Sequence, residues 1–361
     1  MEDEDVSDID VELSSGVGLV TLNRPKALNA LTLGMVRDLT AVLLAWRDDA
    51  SVKAVAIRGE GRAGPFGAFC AGGDIRFFHQ AALAGDPRLE DFFTEEYSLD
   101  HMVHGFGKPV IAFMDGVVMG GGMGIAQGAS LRIATGHTKM AMPETNIGLF
   151  PDVGGGYFLG RCPGHMGEYL ALTGHVVTGA DAVGVGLADV VLDSAQLAPL
   201  WAELASGTVP TLSRLQQAGA PTAGTLLRDQ AAIDRVFALP TVKDIVSALE
   251  ADTSQWAVET AAVLRKRSPL MLHVVLEQIR RGRGSSLADD LRMERGLVRN
   301  CFHLRAGAAG ETVEGIRALA VDKDHSPRWN PPRIEEVTPD MVAAFFEAPW
   351  PAHAHPLRHL A

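Results

Sequence analysis

Two acidic residues, Glu144 and Asp152, stand eight positions apart in the segment MPETNIGLFPDVGG at 142–155. Glu144 has apolar neighbours, and an acid in such surroundings has a raised pKa and is often functional, whereas a lone surface Glu is the ordinary alternative. Asp152 precedes three glycines at 154–156, so capping or turn-making is as well supported as chemistry for this side chain. Two such acids can move protons or form a covalent intermediate, and the residues around them decide which.

A glycine run, MGGGMG at 119–124, precedes these acids. It follows a predicted strand and opens a predicted helix, where glycines permit a tight turn and free N–H groups favour negative charge. A phosphate site, an oxyanion hole and close helix–strand packing all fit this pattern. A second glycine pair lies in AGGDI at 71–75, where Asp74 is predicted to cap the next helix.

A third acid, Glu96, falls on the apolar face of a predicted helix at 88–104. Leu89, Phe92, Leu99 and Val103 recur on that face with helical spacing. The pattern predicts a buried carboxyl group that is either structural or part of the site.

The bulk composition predicts a compact protein and excludes several classes of function. The chain has 361 residues, of which 47% are hydrophobic, and a formal charge of −12, which argues against non-specific nucleic-acid binding. Its three cysteines are widely spaced, so neither a zinc site nor a disulfide framework is indicated, and Cys70 reads as a packed thiol. The acidic start resembles neither a signal nor a transit peptide, and no apolar run is long enough for a membrane span. We therefore expect a cytoplasmic protein, with a mature organellar form as the alternative.

The hydrophobic pattern predicts an α/β protein in two parts. Residues 1–195 alternate strands and helices, and residues 196–361 read as a helical region ending in an irregular arm. The predicted strands lie at 17–22, 52–58, 109–114, 131–135, 140–142 and 187–192, with a loop at 59–67. The predicted helices include one capped by Thr32 and others at 88–104, 120–127 and 167–173.

Five segments carry a resemblance to a known family. They are NRPKALNAL (23–31), FCAGGDI (69–75), the glycine run, MPETNIGLFPDVGGGYFL (142–159) and DKDHSPRWNPP (322–332). Together they resemble the crotonase superfamily, which includes the enoyl-CoA hydratases and isomerases, and within it most closely the 3-hydroxyisobutyryl-CoA hydrolases. The similarity extends over nearly the whole chain. It implies a ββα spiral core with a helical C-terminal region.

The resemblance also implies a ligand and a set of roles. The substrate would be a short-chain acyl-CoA in valine degradation, with no metal, no redox cofactor and no membrane partner, and many relatives form homo-oligomers. The implied roles are an oxyanion hole from the N–H groups of Gly73 and Gly121, catalysis by Glu144 and Asp152, and substrate contacts from Glu96, Lys26, Ala71 and Ile75.

One departure from the hydratase pattern favours hydrolysis of the thioester. Hydratases of this superfamily resemble the chain in the PE dipeptide at Glu144 but carry a second catalytic glutamate where this chain has Gly124. Asp152 instead supplies an acid where hydratases have a small residue. An enoyl-CoA hydratase or isomerase that uses Glu144 alone remains the alternative, and a non-catalytic scaffold subunit is a second one.

Overall fold

The computed structural model describes residues 8–219 and 224–361. Its strands are Ile9–Ser14 (β1), Val17–Leu22 (β2), Ala54–Gly61 (β3), Gly64–Pro65 (β4), Val110–Met114 (β5), Val117–Met119 (β6), Leu131–Thr135 (β7), Lys139–Ala141 (β8), Val177–Thr178 (β9) and Val190–Leu192 (β10). The first helices are Leu33–Arg47 (α1), Ile75–Ala84 (α2), Arg88–His104 (α3), Gly121–Gly128 (α4), Gly155–Leu159 (α5), Met166–Thr173 (α6) and Gly179–Gly184 (α7).

From Leu197 onward the regular elements of the described chain are all helical. They are Leu197–Ala205 (α8), Leu212–Ala218 (α9), Gln230–Phe237 (α10), Val242–Ala251 (α11), Gln255–Leu264 (α12), Pro269–Gly282 (α13), Leu287–His303 (α14), Glu311–Ile316 (α15) and Pro339–Ala343 (α16), with short 3-10 turns and the π-helical turn Arg317–Val321 between them. None of the helices in the described ranges is long and apolar enough to cross a membrane.

The main sheet has the strand order β1-β2-β3-β5-β7-β10, with β4 paired to β3. The contacts from β2 to β10 along this path are parallel, and β1 is an antiparallel edge strand on β2. A second sheet of three short strands has the order β6-β8-β9. Parallel strands joined by helices confirm the predicted α/β class, because such sheets need helical crossovers.

Two details of the sheet differ from the sequence prediction. Strand β1 was not predicted, because its residues are mostly exposed and carry no sustained apolar pattern. Strand β3 begins at Ala54 and continues to Gly61, so the predicted loop at 59–67 is wrong in part. Its last residues pair with Gly64–Pro65 in a tight hairpin. The glycines of this segment led to the prediction of a loop.

The predicted helix signals are confirmed where they matter most for the candidate site. The Thr32 side chain accepts a hydrogen bond from the Met35 N–H at the start of α1. Asp74 does the same for the Phe77 N–H at the start of α2. Each side chain satisfies one of the N–H groups that a helix leaves without an internal partner.

The described chain divides into two compact units. The first contains residues 8–73, 98–140, 176–219 and 224–227, and the second contains 74–97, 141–175 and 228–361. The sequence-based division at residue 195 stays a prediction.

Each unit has its own apolar core. In the first, residues of the parallel strands pack with α8, and the rings of Phe66 and Phe113 lie 5.6 Å apart beside Trp201. In the second, α13 lies at the centre, and residues such as Leu270, Met271 and Ile279 are fully buried. These cores fix the backbone from which the candidate site residues project.

Candidate active site

The two glycine segments meet in the first unit. Strand β6 is held against the first segment, since Cys70 donates its N–H to the Val117 carbonyl at 3.0 Å and accepts the Met119 N–H at 2.9 Å. A Cβ placed on Gly72 would lie 3.5 Å from the Gly121 nitrogen. The residues after each strand are therefore brought side by side.

Glycine is required in this turn by backbone geometry. Gly72 has φ +103° and Gly120 has φ +49°, both in the region that L side chains rarely adopt. A Cβ on Gly122 would lie 2.4 Å from the Cys70 carbonyl oxygen. Close helix–strand packing, one of the alternatives that the sequence left open, therefore occurs at Gly122. It leaves the neighbouring N–H groups available for another role.

The N–H groups of Gly73 and Gly121 occupy positions suited to holding an anion. Gly121 is the first residue of α4, where a helix leaves its N–H groups unpaired, and it is buried. Gly73 is half-buried and directly precedes the Asp74 cap of α2. Within the described ranges, neither N–H donates to a backbone carbonyl.

Glu144 lies in the second unit, at the first position of the 3-10 turn Glu144–Ile147. It is 6% exposed, and within the described chain its Oε2 atom has no hydrogen-bond partner. Burial raises the pKa of this carboxyl well above its usual value, and the negative charge of Asp152 raises it further. The predicted buried, perturbed acid is confirmed.

Asp152 lies in the same unit and is 5% exposed. Its Oδ2 atom accepts a 2.9 Å hydrogen bond from the Tyr97 hydroxyl. Burial raises its pKa to about 6, while the bond from Tyr97 opposes that rise. The turn itself is closed by the Asp152 backbone carbonyl, which accepts the Gly155 N–H at 2.9 Å, so the side chain remains available for chemistry.

Glu96 is buried in α3, as the helical pattern predicted, and is 2% exposed. Its sequence neighbour Tyr97 is fully buried, and burial, followed by the charge of Asp152, raises the pKa of the Tyr97 phenol well above its usual value. Tyr97 therefore stays a neutral hydrogen-bond donor. The role of Glu96 in binding substrate stays a prediction.

Three residues that support this site were missed from the sequence. Tyr97 contacts Asp152 directly, and Asp290 and Glu294 of α14 accept hydrogen bonds from the backbone that follows Asp152. Tyr97 reads as one more core aromatic, and the two acids lie more than a hundred positions along the chain from the loop that they hold. Nothing local in the sequence links them to it.

The remaining predicted residues lie on the segments that the sequence assigned to them. Lys26 is exposed on the turn Pro25–Ala27, and the half-buried Ala71 donates its N–H to the Leu28 carbonyl at 3.0 Å. Ile75 is the half-buried first residue of α2. Cys70 is fully buried, as expected of a packed thiol.

Each unit supplies groups with a distinct chemistry. In the first unit, two N–H groups can hold an oxyanion. In the second unit, two buried carboxyls can exchange a proton or attack a carbonyl carbon. Residues 17–346 match the enoyl-CoA hydratase/isomerase family, and the chain belongs to that family.

Particular relatives agree with this assignment. The chain is 39% identical over 355 residues to the probable 3-hydroxyisobutyryl-CoA hydrolase 3 of Arabidopsis thaliana, covering 94% of this chain and 92% of that protein. It is 38% identical over 339 residues to the mitochondrial 3-hydroxyisobutyryl-CoA hydrolase of Xenopus tropicalis, covering 91% and 86%.

Solved structures confirm the predicted crotonase-like fold. An enoyl-CoA hydratase from Rhodobacter sphaeroides 2.4.1 is 37% identical, with a TM-score of 0.88 and coverage of 95% of this chain and 98% of that one. A carnitinyl-CoA dehydratase from Mycobacterium thermoresistibile is 38% identical, with a TM-score of 0.87 and coverage of 95% and 97%.

Proposed function

We propose that this chain hydrolyses short-chain 3-hydroxyacyl-CoA thioesters, with 3-hydroxyisobutyryl-CoA as the first substrate to test. The relatives of similar length named above are 3-hydroxyisobutyryl-CoA hydrolases matched over more than nine-tenths of this chain. The observation that carries the proposal is the buried pair of Glu144 and Asp152, whose carboxyls influence each other's protonation.

The position of Gly124 weighs against hydration of a double bond, although two similar solved structures are named as a hydratase and a dehydratase. Adding water across an alkene needs an acid and a base on the two carbons. Gly124 lies buried inside α4 and has no side chain to act as either. Asp152, beside Tyr97, supplies the second acid from a different segment, which suits attack at a thioester carbonyl.

The proposed first step uses the oxyanion hole. The N–H groups of Gly73 and Gly121 bind the thioester oxygen and stabilise the charge that develops there, where one such donor is typically worth about 3 kcal/mol. Glu96, Lys26, Ala71 and Ile75 are proposed to contact the substrate, as the family resemblance implies. The mechanism requires no metal or redox cofactor.

Two routes complete the reaction. In one, a Glu144 oxygen bonds to the carbonyl carbon, the C–S bond breaks, the CoA sulfur takes a proton, and water then cleaves the mixed anhydride. In the other, Glu144 takes a proton from water as that water attacks the carbonyl carbon, and the C–S bond of the tetrahedral intermediate then breaks as the CoA sulfur takes up that proton. In the first route, Asp152 accepts the Glu144 proton, passes it to the departing CoA sulfur, and then orients or deprotonates the water that cleaves the anhydride. In the second route, Asp152 orients the water that Glu144 deprotonates. Either route begins with Glu144 unprotonated.

The test is release of CoA thiol from a panel of acyl-CoA thioesters by wild-type protein and by Glu144→Gln. We expect the variant to lose activity by about 1,000-fold or more, within the usual range for an essential acid or nucleophile, while its affinity for CoA stays within threefold. Near-normal turnover by Glu144→Gln would refute the assignment. Hydration of crotonyl-CoA without thiol release would support the alternative function instead.

Single-turnover hydrolysis in ¹⁸O-water separates the two routes. Label in the Glu144 carboxyl supports the anhydride, and its absence supports direct attack by water. The cytoplasmic location, the absence of a cofactor and a homo-oligomeric state stay predictions from the sequence.

A further inference from the structure

The loop that carries Asp152 has an unusual backbone. Val153 has φ +56° and Gly154 has φ +86°, so two consecutive residues adopt the left-handed conformation just before α5. A β-branched residue such as valine rarely does so, and the strained conformation persists only where its surroundings impose it. Something outside the loop must therefore hold it in this shape.

The side chain of Glu294 supplies much of that restraint. It is fully buried, its Oε2 atom accepts the Gly154 N–H at 2.7 Å, and its Oε1 atom accepts the Gly156 N–H at 3.0 Å. One carboxylate thereby binds two N–H groups on either side of the first residue of α5. A carboxylate can do this because both of its oxygens accept hydrogen bonds. An amide has one oxygen acceptor, and its NH2 group only donates.

Two further side chains complete the restraint. Gln278 of α13 donates from Nε2 to the Pro151 carbonyl at 2.6 Å and to Oε1 of Glu294 at 3.0 Å. Asp290 accepts the Tyr157 N–H at 2.7 Å through Oδ2. Bonds from Glu294, Gln278 and Asp290 thus fasten the backbone both before and after Asp152.

The two acids of α14 that bind this loop are both fully buried. Burial raises the pKa of both Asp290 and Glu294, and each lies among other groups, namely Arg161 near Asp290 and Asp152 near Glu294. Two like charges at adjacent turns of one helix resist joint ionisation. Both oxygens of Glu294 accept N–H groups, whereas within the described chain Oδ1 of Asp290 has no partner. Of the two acids, Glu294 therefore makes the fuller set of hydrogen bonds to the loop.

We propose that Glu294, acting with Gln278 and Asp290, is a positioning residue for thioester hydrolysis. It acts by holding the loop at 151–157 in the conformation that aims Asp152 at the Tyr97 hydroxyl. The inference rests on the proposed function, because positioning has meaning only if Asp152 takes part in the reaction. Glu294 itself contacts backbone and Gln278 and is not assigned a contact with substrate.

The experiment compares Glu294→Gln with Asp289→Asn, a matched control on the same helix whose carboxylate is 66% exposed. We expect Glu294→Gln to lower kcat at least 30-fold with KM within threefold, because the amide presents a donor to an N–H group and the loop must shift. Asp289→Asn should retain wild-type kcat. Asp290→Asn, which keeps an oxygen to accept the Tyr157 N–H, should lower kcat only two- to threefold.

A double-mutant cycle with Tyr97→Phe distinguishes positioning from a merely structural role. If Glu294 acts through the Asp152–Tyr97 contact, the two substitutions should be strongly non-additive in kcat, because a displaced Asp152 has already lost the Tyr97 bond. Additive effects, or a Glu294→Gln enzyme within threefold of wild type, would overturn the inference. Equal losses from Asp290→Asn and Glu294→Gln would overturn the assignment of the main restraint to Glu294.

Gln278→Met keeps the test decisive should Glu294→Gln fail to fold. It is a neutral change of similar volume that removes the bonds to Pro151 and Glu294, and it should lower kcat five- to tenfold without changing KM. Unchanged kcat would refute the restraint. If the wild-type chain releases no thiol from any thioester, the proposed function is refuted. If the wild type is active and the variants keep its kcat, the positioning role of Glu294 alone is refuted.

Discussion

Replacing Asp152 with Asn should make the protein inactive and more stable at the same time. The folded protein raises the pKa of this carboxyl from 3.8 to about 6 because the group is buried. The folded state therefore binds the proton more tightly than the unfolded state, and stability falls as pH rises through that interval. Asparagine is neutral throughout and keeps an acceptor for the Tyr97 hydroxyl.

The size of the effect follows from the two pKa values. Each pKa unit corresponds to ~1.4 kcal/mol, so ionising Asp152 in the folded protein costs about 3 kcal/mol of stability at pH 8. With ~2.1 cal/mol/K of unfolding entropy per residue, a chain of 361 residues should gain about 4 °C in Tm at pH 8. The gain should fall to roughly half of that at pH 5, because much of the wild-type Asp152 is then protonated.

Thermal unfolding followed by circular dichroism at both pH values measures this, with thiol release as the parallel assay. We expect kcat to fall by about 100-fold or more, the usual cost of losing a proton-transfer group. A Tm that does not rise at pH 8, or a rise that is the same at pH 5, would refute the argument that burial has raised the pKa of Asp152.

Three other substitutions test separate parts of the structure. Tyr97→Phe removes the hydrogen bond that lowers the pKa of Asp152. Since such a bond is worth ~1 kcal/mol, the acidic limb of the pH profile of kcat/KM should move to higher pH by about 0.5 or more. An acidic limb at the wild-type position would contradict this. Gly122→Ala places a Cβ 2.4 Å from the Cys70 carbonyl and should lower kcat at least tenfold, whereas Gly136→Ala, whose Cβ meets nothing within 4 Å, serves as the control. Arg283→Met removes a 2.5 Å ion pair with the fully buried Glu168. It should lower the free energy of unfolding by about 2 kcal/mol, a value reduced because the arginine side chain is a third exposed. Urea unfolding measures this, and Arg214→Met, which removes the exposed pair with Glu203, is the control.

The sequence predicted those parts of the site that depend on local pattern. The helical spacing of Leu89, Phe92 and Leu99 placed Glu96 in a buried stripe, and the structure confirms it. The apolar neighbours of Glu144 likewise predicted a buried acid with a raised pKa. Both inferences need only the periodicity of one element or the composition of one segment.

The parts that the sequence did not predict depend on contacts between distant segments. Tyr97 and Asp152 are 55 positions apart, and no local pattern marks the tyrosine as the donor to that acid. Strand β1 was missed for another reason: it lies at a sheet edge with one buried residue, Ile9, so the alternation that identifies half-buried strands is absent.

The restraint on the Asp152 loop also imposes an order on biosynthesis. Glu294 lies 140 positions after Gly154, the nearer N–H that it binds. At ~5–20 residues per second, a ribosome needs roughly 7–28 s to make that stretch. During this interval the loop of the nascent chain lacks the Glu294 carboxylate that binds its N–H groups. The Asp152 segment can therefore be completed only when more than four-fifths of the chain has been synthesised, and a product that stops before α14 would leave the ribosome without the carboxylate that restrains this loop.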